Sequence, residues 1–211
     1  MNLSSGLLKV GIKLTDKPIF AGIIGRNRAL YLLAEHTLMY MGIICAHLTD
    51  SFGLASLRGM LLRIYPTLVI VEDPDKLPFV LDFAPKRLKL IITCFPLESR
   101  HKKKGIKIRF LNDLEELGKQ RAIKKGQFQG RSELHSFTSI YFTSNHSDLL
   151  RGVLLSHGNF LGAATGMAVH LDDYSFYNKD VYFAYLPRKI VMESLMQHFI
   201  LLEGGRVIYY S

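Results

Sequence analysis

Short apolar runs alternate with segments of helical period along the whole chain, and that alternation restricts the fold more than any single motif. Ile19–Ile24, Gly42–Ala46, Thr67–Val71, Leu88–Thr93, Ile106–Ile108, Ser139–Thr143, Val181–Leu186 and Arg206–Tyr210 read as strands. Near-continuous apolar runs rich in β-branched residues suit strands buried on both faces. Between them, Arg28–Met41 carries Leu30, Leu33, Ala34, Leu38 and Met41 at helical spacing, with Glu35 and His36 off that stripe. Phe52–Ile64, Asp75–Phe83, Asp113–Gly118, Ser156–Leu171 and Ile190–Leu202 read as further helices. Asp50 and Ser51 are predicted to cap the helix from Phe52, and Asn112 the helix from Asp113. Strands alternating with helices of this length predict an α/β fold, Rossmann-like, with a largely parallel sheet and flanking helices. The last strand ends the sequence, so the sheet reads as incomplete.

A chain of 211 residues with 48% hydrophobic content can bury a substantial core, as one large domain or two small ones. None of the apolar runs approaches the roughly 18 residues of a spanning helix. The opening MNLSSGLLKVGIK is too interrupted by Ser, Gly and Lys for a secretory signal. Cys45 and Cys94 lie in apolar runs and read as buried free thiols, which fits a reducing, cytoplasmic setting. No Cys/His spacing suggests a metal site.

Charge is uneven. The net charge is +9, yet Lys86–Arg131 alone holds 14 Lys and Arg against four acids, leaving −1 for the rest. Residues 99–132 read as basic and linker-like, with Arg121–Ser132 the best linker. The simple reading is a solvated face; the sharper one is a patch for anionic lipid head groups or a polyphosphate, with the protein peripheral on a membrane. Nucleic acid ranks below both, because no aromatics alternate with the lysines.

The stretch Ile140–Asn159, IYFTSNHSDLLRGVLLSHGN, reads as strand, polar loop, basic step, apolar run and a helix start at Ser156. Strand, polar turn and helix N-terminus is a common way to hold phosphates, since backbone N–H groups attract anions there. The loop lacks the glycines of such a grip, and the alternative is an ordinary polar turn. His146 and His157 have no acid placed by spacing to pair with them, so no catalytic residue is assigned. Gly162, Ala163, Ala164 and Gly166 predict close packing of the helix that follows.

Three segments resemble long-chain fatty acid–CoA ligases of the AMP-forming adenylating superfamily. GRNRALYLLAEHTLMYMGIICAHLTDSFG (Gly25 to Gly53) is similar to the block "NRPEW…AE…YG…VPLYDTLG" through Asn27, Arg28, Ala34, Glu35, Gly42, Asp50 and Gly53. Phe142–His157 resembles the phosphate loop, usually YTSGTTGxPKGVxLTH. Tyr185–Ser211 resembles "YLPLAHIFERxxExxxLxxGxxIGFYS", retaining Glu193 but with Ile190 in place of His and Ser194 in place of Arg. The match is collinear and weakest from Ser99 to Arg131. It implies the N-terminal portion of an adenylate-forming domain: an enzyme that joins a long-chain fatty acid to AMP using ATP and Mg2+, then passes the acyl group to coenzyme A.

Carried over residue by residue, the resemblance implies nucleotide contacts at Thr143, Ser144, Asn145, Ser147, Arg151 and Gly152. Thr143, Ser144 and Gly152 match the family; Arg151 replaces its Lys and Asn145 its first loop glycine, while Ser147 replaces a threonine. Gly152 is expected to allow close backbone approach. Asp148 replaces the second glycine with a carboxylate. Two like charges about 4 Å apart at an effective dielectric near 20 repel by roughly 4 kcal/mol. The family's adenine-binding block, magnesium-binding Glu, ribose-binding Asp and C-terminal Lys fall after Ser211 in this register. The expectation is therefore a ligase-like chain with a degenerate loop, inactive alone; the alternative is a non-catalytic module meeting an anionic membrane or a partner.

Overall fold

The computed structural model describes residues 2–97, 102–120, 128, 132–143, 150–171 and 179–210. Its centre is a seven-stranded sheet made of β1 (Phe20–Ile24), β2 (Ile44–Leu48), β3 (Leu68–Val71), β4 (Leu90–Thr93), β5 (Lys107–Phe110), β6 (Phe137–Thr143) and β7 (Arg151–Ser156). The spatial order is β5-β4-β3-β1-β2-β6-β7. Strands β1 to β6 pair in parallel, and β7 returns antiparallel along β6. β1 to β4 are buried almost throughout, as their β-branched runs require.

Helices cover both faces. On one lie α1 (Asn2–Lys9), α2 (Ala29–Tyr40) and α5 (Leu111–Lys119), whose Leu3, Leu7, Leu38, Leu111 and Leu114 join Ile23, Cys45 and Ile70 in one core cluster. On the other, α3 (Leu54–Ile64) and α4 (Lys76–Asp82) place Leu57, Met60, Leu77 and Val80 against Ala46, Val69 and Ile91. Beside the main sheet, β8 (Val181–Ala184) and β9 (Arg206–Tyr209) form a two-stranded parallel pair joined through α7 (Val191–Leu202). α6 (His157–His170) packs next to α7.

Several local expectations change. The run after the polar loop is not part of a turn into a helix: it is β7, paired in register with β6 from Thr143↔Arg151 to Ser139↔Leu155. Gly-Val-Leu-Leu is apolar enough to pair with the edge of β6, so the loop closes a hairpin instead of feeding a helix N-terminus. The helix does begin at Ser156, whose hydroxyl accepts from the Asn159 N–H at 3.2 Å while Asn159 Oδ1 accepts from the Ser156 N–H at 2.9 Å. This reciprocal cap satisfies two otherwise orphan donors.

Asp50 and Ser51 cap nothing. α3 starts at Leu54 after Gly53, which sits at φ +87°, a conformation that favours glycine, and the Ser51 hydroxyl bonds Thr49 instead. Nor does Asn112 cap α5, which begins directly after β5 at Leu111. Lys107–Lys119, inside the basic stretch read as linker-like, forms β5 and α5; residues 121–127 and 129–131 lie outside the described set, while Phe128 is buried against Tyr40. The opening segment, read only as no signal, is helix α1. It crosses α5 so closely that a Cβ at Gly6 would fall on the Leu114 carbonyl, and one at Gly118 on that of Asn2. In α6 the predicted close packing fails at Gly162 and Gly166, which face open space; Phe160 and Ala164 carry the burial. Both cysteines are free, Cys45 buried and Cys94 half-buried. No helix among the described residues is long and apolar enough to cross a membrane.

Candidate functional site

Strand order dictates where a ligand can enter. The chain goes from β1 outward to β2, then crosses back to β3 on the other side of β1, so the helices on either side of β1 leave on opposite faces. Beyond the carboxyl ends of β1 and β3 this leaves a crevice, the usual ligand position in open α/β sheets. A cleft of about 620 Å³ lies there, lined by Gly25–Arg28 after β1, Thr49–Ser51 after β2, Glu72–Pro74 after β3, and the segment 184–189 after β8.

Its charges are largely matched with one another. Glu72 takes Arg28 Nη1 at 3.2 Å, Arg26 Nη2 at 3.6 Å and the Arg26 backbone N–H at 3.0 Å. Lys76 Nζ lies 2.6 Å from Asp50 Oδ2, and that bond lowers the Asp50 pKa and raises that of Lys76. Lys189 sits over the Phe52 ring at 4.7 Å. A cleft whose cations already face carboxylates is a weak anion trap.

Two strands further along the same edge, the β6–β7 hairpin brings the predicted contacts together. Thr143 and Arg151 lie directly opposite each other, the last pair before the loop, and both side chains are exposed. Arg151 has no carboxylate ion pair among the described residues. Ser144, Asn145 and Ser147 lie outside the described residues. Gly152 is in place, but its lack of a side chain serves the sheet: an added Cβ would stand 3.1 Å from Ile140 Cγ2 and 3.4 Å from Phe142 Cε1. The close approach seen here is to its own neighbours on β6. Behind the hairpin, Arg63 donates to the Leu150 carbonyl and ties the loop's return to α3.

Below the cleft lies a cluster that sequence reasoning did not assemble. Glu35 of α2 is fully buried and ion-paired with Arg188, itself 2% exposed. His47 of β2 places Nε2 3.3 Å from Glu35 Oε1 and Nδ1 2.8 Å from the Tyr31 hydroxyl, and it stacks on Tyr141 at 4.2 Å. A carboxylate beside Nε2 favours the proton there, leaving Nδ1 to accept from Tyr31. Burial pushes the His47 pKa down from 6.5 to about 3, so the ring is neutral and Arg188 alone balances Glu35.

From Arg188 the bonds continue. Its Nη1 donates to Gln197 Oε1 at 2.8 Å, and Gln197 Nε2 donates to Glu193 Oε1 at 2.7 Å and to Asn27 Oδ1 at 3.0 Å. Asn27 Nδ2 donates to Glu193 Oε1 at 2.9 Å and to the Leu186 carbonyl at 2.8 Å. The Tyr182 hydroxyl and the Leu186 N–H complete the Glu193 shell on Oε2. Thus Asn27, Glu35 and Glu193, three separate points of the resemblance, meet in one clasp between the two sheets. Signals for its other members existed: Tyr31 stands one turn before Glu35, Gln197 one turn after Glu193, and His47 interrupts an otherwise apolar strand.

A model of the AMP-binding enzyme family matches residues 1–211. The chain belongs to the AMP-binding enzymes. Among family members with assigned activities it is 27% identical over 218 residues to long-chain-fatty-acid–CoA ligase 6 of Rattus norvegicus, covering 99% of this chain and 31% of that protein. Long chain acyl-CoA synthetase 5 of Arabidopsis thaliana is 23% identical, with 100% and 32% covered. Among solved structures, ATP-bound MatB from Rhodopseudomonas palustris superposes with a TM-score of 0.74 at 15% identity, covering all of this chain and 38% of that one. The A-PCP didomain of a carboxylic acid reductase from Segniliparus rugosus, in complex with AMP, gives 0.77 at 11% identity, covering 99% and 31%. These likenesses confirm the α/β, largely parallel fold of an adenylate-forming enzyme, and the chain spans only part of each relative.

Proposed function

We propose that this chain supplies the phosphate-holding part of an ATP-dependent site that activates long-chain fatty acids for transfer to coenzyme A, with a weakened grip on the triphosphate. The observation that carries the reading is the hairpin base, where Thr143 and Arg151 face each other at the carboxyl edge of the sheet. In this reading the Thr143 hydroxyl donates one hydrogen bond to a phosphate oxygen and the Arg151 guanidinium adds a charge-assisted pair. Both are borne on paired strands, so their spacing is fixed before the ligand arrives. Ser144, Asn145 and Ser147 are the further proposed contacts.

Asp148 opposes them. Even half of the roughly 4 kcal/mol repulsion of a nearby carboxylate weakens nucleotide binding by more than about tenfold. No group of three or more metal-ligating side chains lies among the described residues, so Mg2+ in this reading arrives on the nucleotide. When bound, ATP supplies the phosphoryl centre that a fatty-acid carboxylate attacks; these residues only position it and neutralise charge.

Calorimetric titration of Mg-ATP tests the reading. Wild-type protein is expected to bind weakly, Asp148→Gly at least about tenfold more tightly, and Arg151→Ala more weakly than wild type. Unchanged affinity in both variants ends the proposal. ATP–pyrophosphate exchange with palmitate is expected to be absent from the isolated chain; exchange above a heat-killed control contradicts that.

A further inference from the structure

The sheet has two ends, and a row of exposed lysines collects at the one away from the cleft. Lys17 precedes β1, Lys86 and Lys89 precede β4, and Lys102, Lys104 and Lys107 precede or open β5; all six are exposed. Because β1, β3, β4 and β5 run parallel, these residues are gathered along a single amino-end rim. Side chains tie the rim together. Arg87 Nη2 donates to the Pro18 carbonyl at 3.2 Å and Lys107 Nζ to that of Val10 at 3.0 Å, while Lys103 donates to the Leu81 carbonyl.

These bonds hold Arg87, Lys103 and Lys107 in place without cancelling their charge. Among the described residues none of the rim lysines forms an ion pair with a carboxylate, and the acids nearby are Asp16 and Asp82. At the cleft end Arg26, Arg28 and Lys76 are matched to Glu72 and Asp50, leaving Arg151 and Lys189 outside such pairs among the described residues.

One further feature separates the kinds of anionic partner. In the middle of the rim, ahead of β3 and between the lysines of β4 and β1, Tyr65 ends α3 in the left-handed conformation at φ +49° and is 41% exposed. Leu62, one turn earlier, is 48% exposed. A tyrosine and a leucine set among lysines match the interface of an anionic bilayer, where amphipathic rings sit at head-group level and lysines meet acidic lipid. Single-stranded nucleic acid instead favours a groove with successive aromatic platforms, and among the described residues leading into β1, β3, β4 and β5 Tyr65 is the one exposed ring.

We propose that the amino-end rim is a docking surface for anionic phospholipid membranes, which leaves the cleft and the β6–β7 hairpin facing away from the lipid. The inference stands on charge placement and does not depend on the nucleotide reading. Co-sedimentation of the full chain with phosphatidylcholine vesicles, with and without phosphatidylserine, tests it. Binding is expected only with phosphatidylserine and is expected to fall steeply with added salt.

Each cation near an anionic surface is worth about a fivefold change in partitioning, so Lys86→Gln/Lys89→Gln/Lys104→Gln is expected to lose about a hundredfold. The same loss of charge at the other end, Arg26→Gln/Lys189→Gln/Arg151→Gln, is expected to cost less than tenfold. Tyr65→Asn, which keeps a residue tolerant of positive φ, is expected to weaken binding severalfold and serves if the triple variant does not fold. Equal binding to neutral vesicles, equal losses from the two triple variants, or tighter binding to single-stranded RNA than to phosphatidylserine at matched phosphate overturns the proposal.

Discussion

The clasp between the sheets and the β6–β7 hairpin both descend from segments that resemble one enzyme family, yet they are built on opposite principles. The clasp is dry: Glu35, His47, Arg188, Glu193, Ser194 and Gln197 are each no more than 2% exposed, and each charge meets a partner. The hairpin base is wet, with Thr143 and Arg151 open to solvent. Asn27, Glu35 and Glu193 match the family in the first, although Ser194 replaces its Arg; Thr143 and Gly152 match it in the second, whose connecting sequence departs at Asn145, Ser147 and Asp148. Resemblance in the clasp therefore reports on how the chain is held together, and only the loop reports on what it can hold.

If that division is right, substitutions in the clasp should move stability and those at the hairpin should move ligand binding alone. The largest effect is expected from Arg188→Met, which strands the buried Glu35 carboxylate; urea unfolding should show a loss of about 3–5 kcal/mol. Replacing both partners, Glu35→Leu with Arg188→Met, should recover most of it, and a double variant as unstable as the single would deny that the charge is the cause.

Acid gives the next largest effect. Burial lowers His47 to about 3 and His198 to about 4, both from 6.5. As pH falls below 6.5 the unfolded chain takes up protons at both rings while the folded chain does not, so stability is complete above that value and declines below it. The decline should approach about 1.4 kcal/mol per pH unit for each ring until the folded values are reached. His47→Phe should make the slope visibly shallower between those limits, as read by thermal melts at several pH values.

Tyr141→Phe removes the hydroxyl that donates to Ser194 Oγ at 2.6 Å and should cost about 1 kcal/mol. The smallest effect belongs to the hairpin: Arg151→Gln should change stability by less than about 0.5 kcal/mol, since the side chain is exposed and has no ion pair among the described residues. A large loss there would erase the contrast.

Much of the fold was legible because the central strands are runs such as Leu68–Val71, apolar and β-branched, that have no stable alternative to burial. β7 was not, since Gly-Val-Leu-Leu acquires its strand character only from pairing with β6. The caps at Asp50 and Asn112 were misread because a polar residue before a helix is only a licence to cap, and chain geometry at Gly53 and Phe110 decided otherwise. At the site, Thr143 and Arg151 could be named from the resemblance; that they face each other depends on hairpin closure. The clasp was beyond reach of local reasoning, because its members come from positions 27, 35, 47, 188, 193 and 197 and become neighbours only once both sheets exist.

The tight crossing of the first helix over α5 has a consequence for biosynthesis. Eight residues are too few to stay helical in water unaided, and the seat that steadies them is made of Leu114 and Gly118. At roughly 5–20 residues per second, a ribosome needs on the order of 6–20 s to deliver that seat after the helix itself has been made. For that interval Leu3 and Leu7, each no more than 2% exposed in the finished fold, lack the surface that covers them.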